Sequence, residues 1–367
     1  MNIAPPPLTA VIAREIRHAG GWLPFDRFMH LALYTPGLGY YARDARQFGP
    51  LARDGSDFVT APELSPLFGR ALAAQVAQAL QQSGSDEVWE FGAGSGALAA
   101  QVLDELARLR QPVARYTIVD VSAALRARQQ ERLAAHGGVV RWAGALPPAL
   151  SGVVLGNEVL DAMPVKLLAR TGGAWHERGV ALSDAGTFLW SDRPTALRPP
   201  LELPGEHDVV TEIHPQQRAF IATLAERLRA GGGGAAFFID YGFPEHEYYH
   251  PQRHMGTLVC HRAHRVDDDP LADVGEKDIT AHVDFTGIAL AAQDAGLSVL
   301  GYTSQARFLL NCGIAGLMEA AGLPTRINAM KLLAEHEMGE LFKVIALAPA
   351  PGWPALGFAQ GDRCYRL

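Results

Sequence analysis

The chain has 367 residues, 48% of them hydrophobic and 19% charged, enough apolar material for one large domain with insertions or for two domains. A formal net charge of −7 lacks the basic footprint of a nucleic-acid binder and is better suited to a cationic partner, and no apolar run approaches the ~20 residues of a membrane span. Three widely spaced cysteines, Cys260, Cys312 and Cys364, argue against a disulfide framework, and the N-terminus lacks a basic then apolar leader, so a reducing compartment is expected.

Residues 8–19 and 25–33 each space apolar side chains along one helical face, the second run stopping at Thr35-Pro36-Gly37. Turn-rich segments at Gly39-Tyr40-Tyr41 and 54–63 lead to a helix over 66–82, and residues 1–83 are expected to form an N-terminal helical cap.

The most informative stretch follows. Val88-Trp89-Glu90-Phe91 is an apolar strand that runs into Gly92-Ala93-Gly94-Ser95-Gly96 and then a helix. Glycine alone takes positive φ freely and lets the backbone approach a ligand, while the helix N-terminus faces the same place. A dinucleotide fold would show G-x-G-x-x-G; here the spacing is G-x-G-x-G, with Glu90 two residues before it. A carboxylate there repels a pyrophosphate and suits a ligand with an ammonium and a sulfonium, which points to S-adenosylmethionine. A second short strand, Tyr116 to Val119, ends in Asp120, where a ribose-binding carboxylate belongs. Ser122 is the expected N-cap of the next helix.

The α/β alternation continues through strands near 139–142 and 153–157, a helix over 215–228, and strands at 235–240, 297–302 and 341–347. Short alternating segments over 165–212 predict an antiparallel insertion, and 243–282 a second insertion. The predicted fold is therefore a Rossmann-like α/β domain over 84–350, with an N-terminal cap and a tail over 351–367.

The strand ending at Gly156 delivers Asn157, Glu158 and Asp161 to the sheet edge where open α/β proteins place their substrates. Two acids three residues apart suit a guanidinium, because its planar donors match carboxylates and their charge offsets that of a nearby sulfonium. Asp161 as a helix N-cap and Glu158 as a solvated loop acid are the plain alternatives. His214, before Pro215, is a candidate base for the departing proton or else a capping or packing residue. The cluster His246, His250, His254, Cys260, His261 and His264 is broken by prolines and lacks zinc-site spacing, so no metal is expected and a polar loop over the active-site mouth is preferred.

These segments, with Gly39-Tyr40-Tyr41, Asp57-Phe58, Thr60, Pro62-Glu63, Asp161-Ala162-Met163-Pro164, Ile239-Asp240-Tyr241-Gly242, Asp278 to Phe285 and Met338 to Lys343, resemble the MidA-like methyltransferase family over nearly the whole length. That family includes the mitochondrial complex I assembly-factor arginine methyltransferase. The resemblance implies a class I methyltransferase sheet, S-adenosylmethionine as cofactor, and a protein partner presenting an arginine, such as a complex I subunit. It places Gly92, Gly94, Gly96 and Asp120 at the cofactor, Asp57, Thr60 and Glu63 in its lid, and Glu158 with Asp161 at the guanidinium. A non-catalytic assembly chaperone and a small-molecule N- or O-methyltransferase are the competing functions. The expected location is the cytoplasm, or the mitochondrial matrix in a eukaryote, with neither nucleic acid nor membrane insertion involved.

Overall fold

Strands that are apolar on both sides set the architecture. In Gly234–Phe243, Ala235, Phe237 and Ile239 enter one hydrophobic core while Ala236 and Phe238 enter another, the two-faced burial typical of parallel sheets. A computed structural model describes residues 7–43, 59–120, 122–205 and 207–367. Its main sheet runs, in spatial order, Leu297–Ser304, Phe342–Pro349, Gly234–Phe243, Gly152–Asn157, Glu87–Phe91, Arg115–Val119 and Val140–Ala143, with Val283–Asp284 added beside Gly234–Phe243. The five strands from Gly234–Phe243 to Val140–Ala143 pair in parallel, and Phe342–Pro349 is antiparallel to both of its neighbours.

The mostly parallel α/β sheet expected from the sequence is present. From Glu87–Phe91 the chain winds outward to Val140–Ala143, then returns to lay Gly152–Asn157 on the opposite side of its starting strand. This reversal creates a crevice at the carboxyl ends of two adjacent strands, the place where open α/β sheets bind ligands. Helices Leu67–Ser83 and Ala97–Arg108 cover one face, and Pro215–Ala230 and Phe285–Asp294 the other. Among the described residues no helix is long and apolar enough to cross a membrane.

The antiparallel insertion is a five-stranded sheet built from Lys166–Thr171, Ala174–Leu182, Phe188–Pro194, Val209–Ile213 and one strand from the start of the chain, Trp22–Pro24. The stretch expected to form one N-terminal cap divides between two cores. Helices Leu8–His18 and Phe25–Tyr34 bury their apolar faces with Val165, Leu167 and Val180 and with Cys260, Ile279 and Ala281 of the second insertion. Helix Leu67–Ser83 instead packs into the main sheet's core. Periodicity shows that a helix buries a face and leaves open what covers it, so one cap reads as a unit in sequence and belongs to two lobes in space.

The Trp22–Pro24 strand lies against Gly179, where a Cβ would meet the Leu23 carbonyl and come within 2.5 Å of the Trp22 indole. Gly179→Val is expected to lower stability by about 1–3 kcal/mol, the usual cost of overpacking. A urea midpoint equal to that of wild type would show that this strand does not need the close approach.

Candidate active site

At the crevice, the glycine turn and the loop after Asn157 face one cavity of about 710 Å³. Gly92, Gly94 and Gly96 have φ of +60°, +52° and +82°, conformations that other L-residues rarely adopt. A Cβ on Gly92 would lie 3.1 Å from Val159 Cγ2, so the turn is bare where it meets the second loop. Helix Ala97–Arg108 starts directly after Gly96 with no side chain capping it, and Ala97 and Leu98 line the cavity. Gln129 braces this wall: its Nε2 donates to the Gly94 carbonyl at 2.9 Å and to Asp120 Oδ2 at 2.8 Å, and its Oε1 accepts from Trp142 Nε1 at 2.9 Å. The other Asp120 oxygen accepts the Ser122 N–H at 2.9 Å, and Ser122 caps its helix as expected.

The described lining includes the carboxylates Glu63, Glu90, Asp120, Glu158, Asp161 and Asp278, and it includes no lysine or arginine. Glu90 is buried and accepts from Tyr116 Oη at 2.7 Å; burial, helped by Asp120 and opposed by that hydrogen bond, pushes its pKa up to about 8. Glu158 accepts from Asn157 Nδ2 at 3.0 Å, and burial and then Asp161 push its pKa up to about 8. Asp161 is raised to about 6 by burial, against a short hydrogen bond from Tyr241 Oη. Asn157 Oδ1 and Asp161 Oδ1 are buried without a hydrogen-bond partner. The opposite wall comes from the second lobe. Tyr34 and Tyr41 stack with centroids 5.7 Å apart, Tyr34 donating to the Ala162 carbonyl at 2.9 Å and Tyr41 to both Asp278 oxygens at 2.8 Å.

Of the residues singled out in sequence, Glu90, Gly92, Gly94, Asp120, Thr60, Glu63, Asn157, Glu158 and Asp161 all line this cavity. Glu63 takes hydrogen bonds from Ser95 of the glycine turn and from Arg132. Asp57 lies outside the described residues. His214 is a correction: it is not among the lining residues. It follows Val209–Ile213, a strand of the insertion sheet, and packs edge-on to Tyr248, where burial lowers its pKa to about 3 and neither ring nitrogen has a partner. Two other histidines, His261 and His282, line the cavity, and His282 is held neutral, its pKa lowered to about 4 chiefly by burial. Of the histidine-rich stretch, His261 alone is among the described lining residues. No group of three or more His, Cys, Asp or Glu side chains among the described residues is placed to hold a metal ion. Tyr116 and Gln129 carry no sequence signal of their place at the site, because their roles arise from strand register and helix packing.

The site fits a cationic, nucleoside-bearing cofactor. The bare turn admits close backbone approach, and positive charge is what the crowded carboxylates lack. A family profile described as "Putative S-adenosyl-L-methionine-dependent methyltransferase" matches residues 71–303. Protein arginine methyltransferase NDUFAF7 homolog, mitochondrial, from Drosophila melanogaster is 30% identical, covering 95% of this chain and 88% of its own. The Homo sapiens protein arginine methyltransferase NDUFAF7, mitochondrial, is 26% identical, with 90% and 80% covered. The crystal structure of a Burkholderia thailandensis protein bound to S-adenosyl-homocysteine is 49% identical, with a TM-score of 0.94 and 100% of both chains covered.

Fold and site thus define an S-adenosylmethionine-dependent methyltransferase built on a mixed α/β sheet. The chain belongs to the MidA-like family of these enzymes, and its cofactor is S-adenosylmethionine.

Burial raises the pKa of Glu90 from 4.5 to about 8, so the folded state without ligand prefers the protonated acid. The stability this contributes is complete below about pH 4.5 and is lost as pH rises toward about 8. From about pH 5 to pH 9, the stability difference between Glu90→Gln and wild type is expected to move in the variant's favour by up to a few kcal/mol, at about 1.36 kcal/mol per pKa unit. Chemical denaturation across that range checks it, and a difference independent of pH would refute a raised Glu90 pKa.

Proposed function

We propose that this enzyme transfers a methyl group to an arginine guanidinium of a partner protein. The observation that carries the reading is the pair Glu158 and Asp161. Two under-neutralised carboxylates stand on one loop beside the cofactor turn, Asp161 keeping an unpartnered oxygen, in a cavity with no lysine or arginine in its described lining. Guanidinium stays protonated at any physiological pH and offers paired planar donors, so it meets both needs of such a site. The names of the Drosophila and human relatives support the same acceptor.

When bound, the cofactor supplies an electrophilic methyl on a cationic sulfur. Gly92 and Gly94 bring the backbone against it, while Gly96, expected beside them, is not among the described lining residues and instead starts the helix against Gln129 and Leu133. Asp120 takes ribose hydroxyls, Glu90 offsets its positive charge, and Thr60 and Glu63 close over it. On the acceptor side, Glu158 and Asp161 hold the guanidinium and offset the repulsion between two cations in a poorly solvated space. Asn157 orients Glu158 through its amide. As the nitrogen–methyl bond forms and the sulfur–methyl bond breaks, leaving a neutral thioether, the guanidinium nitrogen sheds a proton, and Glu158, kept ionised by the two cations beside it, takes it. A respiratory complex I subunit is the acceptor that the family resemblance suggests, with the enzyme located wherever that subunit is assembled.

Glu158→Gln keeps the size of the side chain and removes its charge and proton-accepting capacity. Transfer of labelled methyl from S-adenosylmethionine into the proteome of cells lacking this protein, followed by acid hydrolysis, is expected to yield methylarginine. The variant should lose at least about a hundredfold in rate while retaining cofactor affinity. Turnover equal to wild type, or label in a residue other than arginine, would sink the assignment.

A further inference from the structure

The strand that supports the acceptor loop, Gly234–Phe243, carries Asp240 and Tyr241 in its C-terminal half, and Asp240 is not among the residues lining the cavity. Asn157 pairs with Ile239, the Glu158 N–H donates to the Ile239 carbonyl at 2.9 Å, and there the chain turns. Glu158 makes the turn with φ of +53°, a left-handed conformation that is strained for a residue with a Cβ. The next three backbone N–H groups, those of Val159, Leu160 and Asp161, converge on one atom, Asp240 Oδ2, at 3.2, 2.9 and 3.3 Å. Asp240 Oδ1 accepts the Tyr241 N–H at 2.9 Å. Consecutive amides aimed at one anion make the kind of concavity that elsewhere binds phosphate, and here the chain fills it with its own carboxylate. Tyr241 then donates to Asp161 Oδ2, the oxygen next to the unpartnered Oδ1.

Resting on the reading of Glu158 and Asp161 as the guanidinium clamp, we propose that Asp240 is a positioning residue. It holds the acceptor loop in its left-handed turn so that both carboxylates converge on the substrate nitrogen, and Tyr241 fixes the orientation of Asp161. Placing a further carboxylate beneath two others is electrostatically costly, as the upward push on Asp240 from burial, Asp161 and Glu158 shows. The geometry accounts for that cost. A carboxyl group accepts at both oxygens, whereas an amide in its place would gather the three loop N–H groups on its oxygen and set its NH₂ against the Tyr241 N–H.

The test compares Asp240→Asn, Asp240→Ala and Tyr241→Phe with wild type. It measures the initial rate of labelled methyl transfer into the proteome of cells lacking this protein, cofactor affinity by calorimetry, and the labelled residue after acid hydrolysis. Both Asp240 variants are expected to lose about tenfold or more in rate, the scale of small misplacements at a reacting centre, with cofactor affinity held within about threefold. Should Asp240→Ala fail to fold, Asp240→Asn and Tyr241→Phe decide the matter. Tyr241→Phe removes the donor that favours ionised Asp161, so the acid limb of its rate profile should move to higher pH. The groups acting electrostatically with Asp161 are Glu158, Asp240, Tyr241, Tyr34 and Tyr41, and of these the variant alters Tyr241 alone. An Asp240→Asn rate equal to wild type, a parallel fall in its cofactor affinity, or an unmoved acid limb would overturn the proposal. Label in a residue other than arginine that still disappears with Asp240→Asn would overturn the arginine reading and support the positioning role. Labelled methylarginine formed by Asp240→Asn at the wild-type rate would do the reverse.

Discussion

The burial of several carboxylates around one cavity is the constraint around which this molecule is organised. Glu90, Asp120, Glu158, Asp161 and Asp278 face one space from which water is partly excluded. Glu90, Glu158 and Asp161 each carry a raised proton affinity, chiefly from burial, to which a neighbouring carboxylate adds for Glu90 and Glu158, and no described lysine or arginine joins them in the lining. Such an arrangement stores free energy in the empty protein and releases it to any ligand that brings the missing positive charge. A sulfonium with its ammonium is one such ligand, which explains why the cofactor turn can dispense with basic side chains.

The sheet makes that concentration of charge possible. Reversal of winding between Glu87–Phe91 and Gly152–Asn157 brings two loops to the same edge, one made of glycines and one of acids. The second lobe supplies the facing wall through Tyr34, Tyr41, His261 and Asp278, so residues of three hydrophobic cores bound the cavity. The cores carry the stability and the cleft carries the electrostatic tension.

The parts of this arrangement that lie within a few consecutive residues were legible in the sequence. Gly92 to Gly96 and Asn157 to Asp161 announce themselves by spacing and residue type, and Asp120 by its place at a strand end. Tyr116 could not be read the same way, since its hydroxyl reaches Glu90 only because their strands pair in one register. Gln129, braced against both Gly94 and Asp120, looks in sequence like any polar residue on an exposed helix. His214 misled for a related reason. A histidine after a strand looks the same whether that strand belongs to the cofactor sheet or, as here, to the insertion sheet. The N-terminal helices declared an apolar face, and the partner of that face is encoded more than a hundred residues later.

That separation bears on how the protein is made. Helices Leu8–His18 and Phe25–Tyr34 find their cover in Val165, Leu167 and Val180, then in Cys260, Ile279 and Ala281. A ribosome working at about 5–20 residues per second takes roughly 10–50 s to deliver the last of these after the second helix has emerged. During synthesis the first folded segments therefore wait with their apolar sides uncovered while the cofactor sheet assembles behind them.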